Sequence, residues 1–191
     1  MDKLLKAATE YEKLLHKDFL YVLEGDISIT LNFQPQHFHH LMGLQKLTDI
    51  DQVQKITHGT RPRTFARDIY KDIRTGVTTL DNISKSKYFS EVENRLEYFN
   101  QINSIVEYEK IIIDFNTELL GFRSTLRQAE YVLHKQSHTG LYLNLFLGQD
   151  RAKKDKKYPL TFIPSRTDQY TYGQKTLRIL DIRTINRDRK R

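Results

Sequence analysis

Three of the chain's seven histidines fall in the stretch HFHHLMGL, residues 37–44. Imidazole is the side chain whose ordinary pKa lies near neutrality, so His37, His39 and His40 are candidates for general acid/base work. On a helix His37 and His40 share a face at i,i+3, whereas His39 points elsewhere. A metal centre would need further ligands. His58, His134, His138 and the carboxylates stand at no recognised ligand spacing. The plainer alternative is one packed histidine and two at the surface. A second concentration of polar chemistry is TFIPSRTDQYTYGQKTLRIL, residues 161–180. Arg166 can grip a phosphate with two parallel N–H bonds. Ser165 and Thr167 can donate to phosphate oxygens. Tyr170 and Tyr172 can stack a base or move a proton, and Gln174 closes the cluster. The same residues also suit an ordinary polar hairpin loop. Ser165 lacks the GxSxG surroundings of an acyl-transfer nucleophile.

Cations are spread more widely. Lys153, Lys154, Lys156 and Lys157 form one run and residues 187–191 another. Each alone reads as a solvated loop or tail. With Lys46, Arg61 and Arg63 they could track a phosphate backbone. Arg123, Thr125 and Arg127 form a further polar, basic stretch before a strand. The 191 residues carry 31 Lys and Arg against 24 Asp and Glu, a net charge of +7. That balance excludes an acidic disordered chain and favours an anionic partner. The absence of cysteine excludes disulfide scaffolds, thiolate nucleophiles and Cys-based metal sites. No Walker or dinucleotide glycine motif is present. No apolar run reaches the ~18 residues of a membrane span. The charged start, MDKLLKAATEYEK, is unlike a signal peptide. The expectation is a cytoplasmic protein with no membrane association.

These side chains need elements to position them. Leu4, Leu5, Ala8, Tyr11, Leu15 and Phe19 recur at helical steps, which predicts a helix over residues 4–23. Residues 27–33 alternate, as a half-buried strand does. Pro35 then opens a segment that carries the histidines. Residues 49–108 read as mainly helical, with one long apolar face through Phe89, Val92, Leu96 and Phe99. After Tyr108 the period becomes two. Strands are predicted over 110–115, 128–135, 141–147, 159–163 and 176–185. The expected fold is α+β. N-terminal and central helices pack on a mostly antiparallel sheet of about four to five strands, formed largely by the C-terminal half. One domain is expected over 1–191, mainly helical over 1–108 with one strand at 26–33, and mainly antiparallel strands over 109–186.

A strand ISITLNF, the segment HFHHLMGL, a helix bearing NRLEYF, and the closing TFIPSR and YTYGQKTLRIL occur in that order. In this order the chain resembles the phage-associated barnase–EndoU–colicin–RelE-like nucleases, specifically their fourth class, over about residues 4–183. The resemblance implies a toxin-like, metal-independent endoribonuclease without a cofactor, acting on tRNA or mRNA. It implies helices on one side of a four-stranded sheet and an active site on the open sheet face. The RNA 2′-hydroxyl would attack the adjacent phosphorus, giving a 2′,3′-cyclic phosphate. On this resemblance His40, in the His-Leu motif, is the acid/base group and His39 its nearest substitute. Arg166 or Lys46 would stabilise charge, Ser165 and Thr167 would position the phosphate, and Tyr170 or Gln174 would contact substrate. Arg123, Arg127, Lys154 and Lys157 would add backbone contacts. No second histidine is obvious, and His138 is the nearest guess. RNA and an antitoxin or immunity protein are the implied partners. The alternative is a non-catalytic RNA-binding or protein-interaction module on the same fold.

Overall fold

The computed structural model describes residues 2–54, 65–120, 122, 126–150, 153 and 155–187. Helix α1 (Lys3–Glu12) begins where the Asp2 carboxylate accepts from the N–H groups of Leu4 and Leu5 at 2.7 and 3.0 Å. An N-terminal carboxylate of this kind satisfies amides that have no partner within the helix. The predicted helix over 4–23 stops here. Strand β1 (Lys17–Leu23) replaces its second half, and Phe19, Tyr21 and Leu23 point alternately into the core. Aromatic and aliphatic residues at period two suit a pleated surface better than another turn of helix.

Strand β2 (Ile27–Asn32) returns antiparallel beside β1. Among the described residues five short α-helices follow: α2 (His37–Leu41), α3 (Ala66–Arg74), α4 (Leu80–Ser84), α5 (Ser90–Tyr98) and α6 (Ile102–Tyr108). The remaining strands are β3 (Ile111–Asp114), β4 (Ala129–Gln136), β5 (Tyr142–Gln149), β6 (Lys156–Ser165) and β7 (Lys175–Asn186).

The strands close in the order β1-β2-β6-β5-β4-β3-β7. This overturns the expected α+β sheet of four to five strands: the molecule is a closed seven-stranded mixed barrel with short helices. Two features account for the difference. β1 adds a strand in the half expected to be mainly helical. The long β7 pairs antiparallel with both β3 and β1 and so joins the two ends of the sheet. The last junction, β2 to β6, is parallel and shows two register pairs among the described residues, Thr30 with Lys156 and Leu31 with Lys157.

Adjacent strand residues serve opposite faces. Ile112, Leu133, Leu145 and Phe162 belong to the main core, which also takes Leu4, Tyr11, Phe38, Ile69, Val92 and Phe99 from the helices. Their neighbours Ile113, Val132 and Phe146, with Ile163 beside them, belong to a second cluster with Phe115, Leu120 and Leu126 on the outer face. Burial on both faces explains why β5 is apolar almost throughout. Among the described residues no helix is long and apolar enough to cross a membrane.

Candidate active site

From Tyr158 onward, β6 shows no register partner on the β2 side among the described residues. Helix α2 packs against β6 instead. A cleft of about 400 Å³ opens along this part of the molecule. His40, Gln45, Lys46 and Arg95 line it from the helical side. Thr161, Ile163 and Tyr170 line it from β6 and the loop that follows, with Phe122 and Gln128 beside them.

Arg95 organises the cleft. It lies on the apolar face of α5, three residues after Val92 and four before Phe99, and is only 6 % exposed. A buried guanidinium needs acceptors. Its Nη1 donates to the carbonyls of His40 and Leu41 at 3.3 and 3.1 Å, and to Thr161 Oγ1 at 2.9 Å. It thereby ties the C-terminal carbonyls of α2 to β6. Nη2 makes no hydrogen bond among the described residues. Burial lowers the Arg95 pKa to about 10, while Tyr170 and Glu91 oppose that shift. The group therefore stays charged at neutral pH.

The chain passes Arg95 at Gly43, whose φ of 73° lies in the left-handed region. A Cβ there would stand 3.0 Å from Arg95 Nε. Glycine is required both for the turn and for the close approach. Tyr170 rests edge-on against Phe146 and Phe122. Burial raises its pKa, with Arg95 acting against that, so the hydroxyl keeps its proton at neutral pH. Lys46 Nζ pairs with the Glu91 carboxylate at 3.0 Å, and both are partly exposed.

The three histidines have different surroundings, although the His39 and His40 rings meet edge to face at 5.3 Å. His40 is exposed and lines the cleft. His39 is buried, with Nε2 2.7 Å from the Val53 carbonyl oxygen, and does not line it. His37 accepts from the Gln34 N–H and packs against Tyr158. Burial lowers its pKa to about 4, with His40 adding to the shift.

The late cluster is likewise divided. Tyr170 reaches the cleft. Ser165 is buried and donates to the Thr167 carbonyl, which holds the turn after β6. Gln174 is buried in a reciprocal pair with the Asn116 backbone. Arg166 and Thr167 are exposed and do not line the cleft. Lys157 is 5 % exposed and pairs with Glu130 at 2.5 Å, so it belongs to the barrel wall. Arg127 is exposed beside Gln128. His138 lies exposed in the β4–β5 turn. Arg123 and Lys154 lie outside the described residues, as do His58, Arg61, Arg63 and Thr125.

Of the cationic side chains that line the cleft, Arg95 is the one not expected from the sequence. Its signal was present: a charge on the apolar stripe of a helix is either paired or functional. Among the described residues no three His, Asp or Glu side chains cluster as metal ligands.

An imidazole, a tyrosine hydroxyl and two cations around one open cleft can hold an anion, move protons beside it and neutralise charge that develops on it. No curated protein and no solved structure matches the chain. A family model does, over residues 3–188. With nearly its whole length matched, the chain belongs to the phage-Barnase-EndoU-ColicinE5/D-RelE like nuclease4 family, PBECR4, and its function is of the nuclease type.

Proposed function

We propose that the cleft cuts RNA by internal transesterification. In this reading His40 takes the proton of a ribose 2′-hydroxyl as its oxygen attacks the adjacent phosphorus. The bond from phosphorus to the 5′ oxygen breaks, and that oxygen receives the Tyr170 proton. A 2′,3′-cyclic phosphate and a 5′-hydroxyl are left. Arg95 and Lys46 stabilise the extra negative charge of the phosphorane, and a preorganised cation in a desolvated wall does this best. A nuclease of this kind is toxin-like and needs a protein inhibitor to cover the cleft.

One observation carries the reading. In a chain of a nuclease family, His40, Lys46, Arg95 and Tyr170 line a single cleft of about 400 Å³. The test is cleavage of an RNA pool with and without EDTA by wild type and His40→Ala, with the product ends identified. The expected result is cyclic phosphate ends and a loss of about 10²–10⁴-fold in His40→Ala. Equal cutting of a 2′-deoxy substrate would overturn the attack by the 2′-hydroxyl. Equal activity in both proteins would remove His40. RNA binding without any cleavage would return the protein to the class of binding modules.

A further inference from the structure

The outer face of the sheet continues beyond the cleft. Tyr170 rests on Phe146, and Asn144 and Tyr142 follow Phe146 on the same face of β5. Across the next junction His134 stands opposite Asn144. The His134 and Tyr142 rings are stacked, with centroids 5.4 Å apart and planes only 20° apart. Both rings are partly exposed, whereas Asn144 is 1 % exposed.

The buried amide fixes the imidazole. Asn144 Nδ2 donates to the carbonyls of Tyr142 and Ile163 at 3.3 and 3.1 Å. Its Oδ1 therefore faces His134 Nδ1 at 2.9 Å and can only accept. Neutral His134 thus carries its proton on Nδ1. Its Nε2 presents a lone pair and makes no hydrogen bond among the described residues.

One contact joins this pair to the cleft, and the strand register brings it beside Arg166. Ile163, whose carbonyl accepts from Asn144, also lines the cleft. Ser165 stands opposite Tyr142 in register, and the next residue is the exposed Arg166. No ion pair involves Arg166 among the described residues. From β6 to β4 is two strand spacings, about 10 Å, which is the reach of a neighbouring nucleotide.

We infer that His134 and Tyr142 form a stacking subsite for an RNA base flanking the scissile linkage, with Arg166 on its phosphate. A flat aromatic pair on an open sheet face takes an unstacked base regardless of its identity. The acceptor at Nε2 offers one polar contact to the base or the ribose. The inference rests on the ribonuclease reading, because a single-stranded RNA in the cleft is what would continue onto this face.

The probe is a short oligoribonucleotide with 2′-O-methyl riboses, which cannot cleave itself, carrying one 2-aminopurine. Wild type should bind it and quench the fluorophore by stacking. Tyr142→Leu and His134→Leu should each bind about tenfold more weakly and lose the quenching, as loss of one stacked base requires. Tyr142→Phe should restore both. For cleavable RNA, KM should rise in the leucine variants while kcat on a dinucleotide that reaches only the cleft stays unchanged. If Tyr142→Leu fails to fold, His134→Leu decides the matter alone. Unchanged affinity and quenching in the leucine variants would overturn the subsite and leave the ribonuclease reading standing. Failure of wild type both to bind the probe and to cut RNA would overturn the two together.

Discussion

The barrel closes at two junctions that differ greatly in strength. β1 and β7 run antiparallel over seven register pairs, from Lys17 with Asn186 to Leu23 with Ile179. Arg187 extends that junction, donating to the carbonyls of Leu15 and Phe33 and pairing with Asp18. β2 and β6 run parallel over two pairs. Beyond them, α2 and the Arg95 guanidinium stand where a strand would otherwise lie. A continuous ladder leaves no room for a ligand, because backbone occupies the space. An interrupted ladder leaves side chains from helix, strand and loop facing one gap. The candidate active site therefore lies beside the weak junction, and stability rests on the strong one.

The strong junction is the more costly of the two to disturb. Phe19, fully buried on β1 and packed edge-on against Phe33, holds the β1–β7 junction to the main core. Phe19→Ala should cost about 3–5 kcal/mol. Denaturant unfolding should show the lowered midpoint. A cost below about 1 kcal/mol would mean that this junction is not where the fold is held.

At the weak side a substitution should reach activity before it reaches the fold. Arg95→Leu keeps the stem on the apolar face of α5 and removes the guanidinium. Thr161 and the carbonyls of His40 and Leu41 lose their donor. We expect a loss of about 10²–10³-fold in RNA cleavage, with about 2 kcal/mol of stability lost through unmet acceptors. Arg95→Lys keeps the charge without the planar fork and should recover stability better than activity. Cleavage rates set beside melting temperatures for both variants check this.

How much of this was legible in the sequence follows from the range of each signal. Period two is local, so the strands after Tyr108 could be read from their own residues. β1 could not, because Leu15 and Phe19 continue a helical spacing begun by Leu4 and Ala8. Only pairing with β2 and β7 decides between the two periods. Closure is less legible still, since no local pattern tells β7 that β1 will lie at its other edge. In the site, the i,i+3 relation grouped His37 with His40, yet His37 packs on Tyr158, only His40 of the three lines the cleft, and the His39 ring meets that of His40 edge-on at 5.3 Å. The polar composition of 161–174 singled out Ser165, Arg166 and Tyr170 alike, and of these three the turn after β6 brings Tyr170 to the cleft. Arg95 was obscured because a single charge on an apolar stripe states that something is paired there without stating with what.

A smaller effect sharpens the contrast at one glycine. Gly43→Ala puts a side chain into left-handed backbone and a methyl 3.0 Å from Arg95 Nε. The conformation costs roughly 1–2 kcal/mol, and displacing the guanidinium adds loss of function. The expected result is a drop in stability of about 1–2 kcal/mol, with cleavage falling further than that drop explains. By contrast Gly25→Ala, at the β1–β2 turn where nothing stands within 4 Å, should lose stability only. Equal effects of both substitutions on cleavage, each corrected for stability, would show that Gly43 has no special relation to Arg95.

The smallest expected effect is a pH dependence confined to the open side. His37 begins α2, packs against Tyr158, and has its pKa lowered to about 4 by burial and by the neighbouring His40. An unfolded histidine titrates near 6.5, so between about pH 6.5 and 4 the unfolded chain binds more protons than the native one. A depressed native pKa contributes stability that is present above 6.5 and is lost as pH falls towards 4. For a ring that keeps some solvent contact the loss should be about 1 kcal/mol. Replacing His37 with Gln should flatten that window, leaving the acid sensitivity of the carboxylates below it. Hydrogen exchange locates the effect. Amides of α2 and of β6 beyond Tyr158 should lose protection between pH 6.5 and 4.5 after correction for intrinsic rates, while those of β1 and β7 keep theirs. Equal loosening of both junctions would mean that protonation destabilises the whole barrel, and that the two closures do not open independently.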